Sequence, residues 1–117
     1  MPFILVCSSD EKLRNLISTA FPSTHEIILS QDSDSCLDIF YDFITKKNND
    51  IKMCILDIDE QKNALDIIED FHLNYPHIRI IVIGKALSAE LAQDAVRYGA
   101  DGYLIKPIER ETLISLI

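Results

Sequence analysis

The chain has 117 residues, enough for one domain with its own hydrophobic core and too few for two ordinary ones. It is 48% apolar and 26% charged, the balance of a soluble globular protein, and 19 acids against 11 Lys/Arg leave a net charge of −8. So acidic a surface repels phosphate backbones and anionic lipid, which argues against direct binding of nucleic acid or membrane by this domain.

The start, Met1-Pro2-Phe3, lacks the basic region and cleavage site of a signal peptide, and no apolar run is long enough to span a bilayer. A cytoplasmic protein is expected. Five short apolar runs then follow at intervals of about 25 residues: Phe3–Cys7, Glu26–Ser30, Ile51–Leu56, Ile78–Ile83 and Tyr103–Ile105. Three of them are nearly continuous rather than alternating, as strands buried on both faces of a parallel sheet should be.

Helical stripes lie between the runs. Asp10 is placed to cap a first helix carrying Leu13, Leu16, Ile17 and Ala20, which Pro22 closes. A second carries Cys36, Ile39, Phe40, Phe43 and Ile44, and ends in the polar stretch 46–50. A third carries Leu65, Ile67, Ile68 and Phe71, ending near Pro76. A fourth, with Leu91, Ala92, Ala95 and Val96, starts after Ser88 and stops at Gly99, a natural residue just past a helix end. A fifth begins after Pro107 and carries Leu113, Ile114, Leu116 and Ile117. The pattern predicts one α/β domain over 1–117, a (βα)5 doubly wound parallel sheet of strand order 2-1-3-4-5. The short fifth helix suggests continuation into an output module beyond Ile117.

Several chemistries are poorly supported. With only Gly84, Gly99 and Gly102, the chain cannot build a Walker loop or a dinucleotide fingerprint. Ser8-Ser9-Asp10-Glu11-Lys12 contains no glycine, so an FMN-binding loop is improbable. Cys7, Cys36 and Cys54 are odd in number, without CxxC spacing, and read as free buried thiols. His25, His72 and His77 read as surface residues. No enzyme and no resident metal or cofactor is expected.

Ligands of an open parallel sheet gather beyond the carboxyl ends of its strands. There the chain places Ser8, Ser9 and Asp10 after the first strand, and Asp57, Ile58, Asp59 and Glu60 after the third. Gly84-Lys85 follows the fourth and Lys106-Pro107 the fifth. Cys54-Ile55-Leu56-Asp57-Ile58, followed by Gly99-Ala100-Asp101-Gly102-Tyr103-Leu104-Ile105-Lys106-Pro107, resembles the response-regulator receiver domain (CheY-like) of two-component signalling across essentially the whole chain. The resemblance implies that Asp57 is the phosphoacceptor, that Lys106 pairs with the phosphoryl group, and that Tyr103 changes rotamer to report occupancy. It also implies a cis Lys106-Pro107 bond.

Departures from the family pattern are equally informative. Ser8 and Ser9 stand where two acids normally hold Mg²⁺. Gly84 replaces a Thr or Ser, Lys85 a small residue and Gln61 a proline. Counting Asp57 against Lys106 gives a neutral pocket, with neutral hydroxyls in place of the flanking acids; Mg²⁺ binding is therefore expected to be weak or absent. The subtype expected is an atypical receiver, or pseudo-receiver, whose partners (a sensor kinase, an effector or an output domain) meet the face of the fourth helix, fifth strand and fifth helix, with a homodimer possible. The alternatives are a conventional phosphorelay receiver phosphorylated at Asp57 and a structural oligomerisation domain.

Overall fold

A computed structural model describes residues 2–46, 51–59, 63–85 and 89–117. Glu60, Gln61, Ser88 and the stretch 47–50, all used above, lie outside the described residues. The elements run β1 (Phe3–Cys7), α1 (Glu11–Ala20), β2 (Glu26–Ser30), α2 (Ser33–Thr45) and β3 (Ile51–Asp57). They continue as α3 (Ala64–Asn74), β4 (Arg79–Gly84), α4 (Ala89–Tyr98), β5 (Gly102–Ile105) and α5 (Arg110–Ile114). All pairings are parallel and the strand order is β2-β1-β3-β4-β5, as the sequence predicts.

The three central strands owe their apolar runs to burial on both faces. On one side Ile4, Val6, Met53, Ile55, Ile81 and Ile83 meet α1 and α5 through Leu13, Ile17 and Leu113. On the other, Leu5, Cys7, Cys54, Leu56, Ile80 and Val82 meet α2, α3 and α4 through Cys36, Phe40, Ile68, Phe71 and Ala95. Alternate residues thus feed opposite core layers, so that past Lys52 and Arg79, exposed near the amino ends of β3 and β4, no polar residue interrupts these strands before their carboxyl ends.

The helix ends follow local chemistry. The Asp10 carboxylate accepts from the backbone N–H groups of Lys12 and Leu13 at 3.0 and 3.2 Å, satisfying donors that the first turn of α1 leaves unpaired. At the other end of the fold, Gly99 closes α4 with φ +125°, and the Ala100 N–H returns to the Ala95 carbonyl at 2.9 Å. An added Cβ at Gly99 would also strike the His72 ring, so both backbone and space require glycine there.

Two stripes differ from expectation. Val96 faces outward and is 56% exposed, because the α4 stripe narrows to Ala95 with Leu91 and Ala92 at its margins. The α5 helix has five residues, of which only Leu113 is fully buried and Ile114 is exposed; Leu116 and Ile117, expected in this helix, lie beyond its end, and Ile117 is exposed. Among the histidines, His72 and His77 are exposed and His25 is partly buried.

Candidate functional site

The carboxyl ends of β1, β3, β4 and β5 converge on one polar cleft. The ladder continues for a step past the strands and fixes the loops that line it. Ser8 N–H donates to the Ser30 carbonyl at 3.0 Å, Ile58 N–H to Ile83 at 3.0 Å, and Lys106 N–H to Gly84 at 2.9 Å. Arg14 on α1 adds a 2.8 Å bond to the Ser8 carbonyl and ties that loop to the helix.

Asp57, 4% exposed, is the centre of the site. Its Oδ2 accepts from the Ser8 hydroxyl at 2.8 Å and from the Lys106 ammonium at 2.9 Å. Its Oδ1 accepts from the Asp59 N–H at 3.1 Å. A buried charge is tolerated only when donors replace its lost water, and three do so here. Ser8 is correspondingly committed: its oxygen donates to Asp57 and accepts from the Asp10 N–H at 3.1 Å.

The pairing extends one residue further than the neutral count above. Lys106 Nζ also stands 2.9 Å from Asp59 Oδ2, and the Asp59 side chain is as enclosed as that of Asp57. Asp59 Oδ1 takes the Lys85 N–H at 3.1 Å. The inner pocket therefore holds two carboxylates against one ammonium, a formal charge of −1 rather than zero. The sequence carried only part of the signal: Asp59 stands two residues past the Asp57 end of β3, beside the strand-end pocket, and its approach to Lys106 depends on how the loop turns there. Partial burial alone would depress the Lys106 pKa, but its bonds to Asp57 and Asp59 and their charges outweigh that and hold it above its ordinary value.

The remaining candidates divide clearly. Lys85 is exposed at the rim, with Ser9 and Asp10, around a cleft of about 260 Å³ that opens onto Asp57, Asp59 and Lys106. Asp10 spends its side chain on the α1 cap. The Lys106-Pro107 bond is cis, as the resemblance implied. A shallower groove of about 420 Å³ adjoins the cleft, floored by Leu13, Leu16, Pro107 and Ile108 and edged by Lys12 and Lys85. Tyr103 on β5 packs against the α4 side of the core, as an edge-strand aromatic should, and its ring reaches diagonally across to Gly84. Among the described residues, no three His, Cys, Asp or Glu side chains are grouped to hold a metal ion. No helix of the described residues is long and apolar enough to cross a membrane.

Known proteins place this geometry. The sequence model of one family, the response regulator receiver domain, matches residues 4–117. Two curated relatives, alginate biosynthesis transcriptional regulatory proteins AlgB of Pseudomonas syringae pv. tomato and Pseudomonas putida, are each 29% identical over 62 residues. Those matches take in 52% of this chain and 14% of each relative, so the chain spans a small part of their length. Among solved structures, a receiver domain protein from Clostridium thermocellum superposes with a TM-score of 0.77 at 24% identity, covering 97% of this chain and 88% of that one. The receiver domain of NtrX from Brucella abortus gives 0.79 at 24% identity, covering 97% and 92%. These structural likenesses bear on the fold.

Proposed function

The chain belongs to the response regulator receiver family, and we propose from that premise that it is an atypical receiver which signals through protein contacts with little or no Mg²⁺-dependent phosphorylation of Asp57. The observation that carries this reading is that three donors of the chain itself already engage Asp57. Ser8, Lys106 and the Asp59 N–H occupy its two oxygens before any ion or phosphoryl group arrives.

Mg²⁺ favours near-octahedral oxygen ligands and one or two carboxylates. The available donors do not suit it. Ser8 and Ser9 replace the two acids of the first strand, Ser8 already donates to Asp57, and Asp10 caps α1. Asp59 restores one carboxylate, but an ammonium sits 2.9 Å from it and from Asp57. A dication there would face Lys106 at close range and would have to displace an ammonium already paired with both carboxylates.

Output would pass through the face of α4, β5 and α5. Val96, Ile105 and Ile114 stand exposed on these three elements, apolar side chains of the kind that associating surfaces bury. A sensor kinase, an effector or output domain, or a second copy of the chain would meet it. The surplus of acids makes direct contact with nucleic acid by this domain unfavourable. A cytoplasmic location accords with three free, buried thiols.

A conventional phosphorelay receiver is the second reading, and the net negative pocket opening on a solvent cleft is the feature that favours it. Intact-mass measurement after incubation with acetyl phosphate and Mg²⁺ separates the two. An unchanged mass is the expected result. Gain of one phosphoryl group, abolished in Asp57→Asn, would establish the conventional switch instead. A purely structural oligomerisation domain would show one association constant under every condition tested.

A further inference from the structure

The end of β4 contains a second departure whose consequence is mechanical. Val82 pairs with Tyr103 across the β4–β5 ladder and Gly84 with Ile105. Gly84 is therefore the diagonal neighbour of Tyr103 on one face of the sheet, a separation that a long aromatic side chain spans. Gly84 has no unusual φ, so backbone strain does not select it. Space does. A Cβ at residue 84 would overlap the Tyr103 hydroxyl oxygen, stand 3.2 Å from Tyr103 Cζ and lie 3.1 Å from Ile58 Cγ1. The phenol thus fills the volume that any other residue at this position would claim, beside the Lys85 carbonyl at 3.4 Å.

We infer that Gly84 is a seat for Tyr103: the missing side chain lets the phenol dock permanently over the end of β4, so the ring holds one position whatever the state of Asp57. In this chain the aromatic would then be a fixed wall between the strand-end pocket and the α4–β5 surface, and not a reporter of occupancy. The inference deepens the phosphorylation-independent reading, since an output face fixed by glycine needs no phosphoryl group to set it. Its own basis is steric, and it can stand or fall separately. Partial burial of the phenol, together with the charges of Asp59 and Asp57, also holds the Tyr103 pKa above its ordinary value.

Fluorine NMR of the full chain labelled with 3-fluorotyrosine tests this directly. Four tyrosines give four resonances, and Tyr103→Phe assigns the relevant one. A single Tyr103 resonance, displaced from that of the unfolded chain, is expected. It should stay in place when Mg²⁺ and beryllofluoride are added, with amide shifts at Asp57 recording any loading. In Gly84→Ala the Tyr103 resonance should move toward its unfolded position while those of Tyr41 and Tyr75 hold. Should Gly84→Ala fold poorly, a double-mutant cycle supplies the answer: its loss of Tm should be smaller in a Tyr103→Phe background, where the colliding oxygen is gone. Loading at Asp57 with an unmoved Tyr103 would sink the proposed function and sustain the seat. Loading that shifts Tyr103, a Tyr103 resonance indifferent to Gly84→Ala, or an additive cycle would overturn the seat.

Discussion

Two buried patches lie side by side in this domain and treat their titratable groups in opposite ways. Cys7, Cys36 and Cys54 form part of the core layer under α2, all fully buried. Cys7 is held far above the ordinary thiol pKa by hydrogen bonding to Cys36 and by burial; Cys36 is raised by its bond to Cys54 and likewise by burial. One residue further along the chain, Ser8 opens the strand-end pocket, where the enclosed side chains of Asp57 and Asp59 meet the partly exposed Lys106 in ion pairs. Burial without a counter-charge raises the Cys7 and Cys36 thiols; burial with one makes each ion depend on its partner. The thiol patch is therefore packing, and the pocket is a mutual dependence that a single substitution can break.

The sharpest way to break that contrast is Lys106→Met, which leaves two enclosed carboxylates facing each other without a cation. Loss of one partner from a buried pair costs about 3–5 kcal/mol. Urea unfolding should register a loss near the lower end, since Lys106 retains some exposure; a loss under about 1 kcal/mol would mean that water already screens the pocket. The deficit should also depend on pH. Lys106 is raised above its ordinary 10.5 in the folded chain, so its pairing stabilises fully below 10.5 and fades as pH climbs through the folded value. Parent and Lys106→Met stabilities should converge in that alkaline range and run parallel across neutral pH.

A smaller effect separates the two carboxylates. Asp57→Asn weakens the oxygen that both Ser8 and Lys106 share and should cost about 1–2 kcal/mol. Asp59→Asn keeps an oxygen for the Lys85 N–H, relieves the excess negative charge and should cost less than about 1 kcal/mol. The reverse ranking would make Asp59 the principal counter-ion. On the thiol side, Cys54→Ala should cost about 1 kcal/mol as lost packing, and native Cys7, Cys36 and Cys54 should resist alkylation until the chain unfolds. Rapid labelling of the folded protein would contradict the assignment of these thiols to inert core.

Much of this architecture was legible in the residues because one physical demand dominates each strand. Apolar runs mark the strands, continuous in β1, β3 and β4 where both faces are covered and partly exposed at the edges β2 and β5, so all five fall within a residue or so of the expected limits, and the strand order follows from crossover geometry. Asp10 and Gly99 announced helix ends for equally local reasons. What escaped was decided across the fold. The exposure of Val96 depends on how narrow a stripe α4 presents to its neighbours, which periodicity alone does not specify. The pocket charge was miscounted because the role of Asp59 depends on where Lys106 arrives from β5. The fit of Tyr103 over Gly84 needs the β4–β5 register, although a glycine at a strand end beside a one-strand-distant tyrosine was a visible hint.

The central claim, that Asp57 is already provided for by the chain itself, is tested most directly by titrating Mg²⁺ into isotopically labelled protein and following the amides of Ser8, Asp57 and Asp59. No saturable shift up to low millimolar metal is the predicted result. A clean binding isotherm at those three amides would show that the carboxylates release Lys106 to a dication, and the account of a self-satisfied pocket would be wrong.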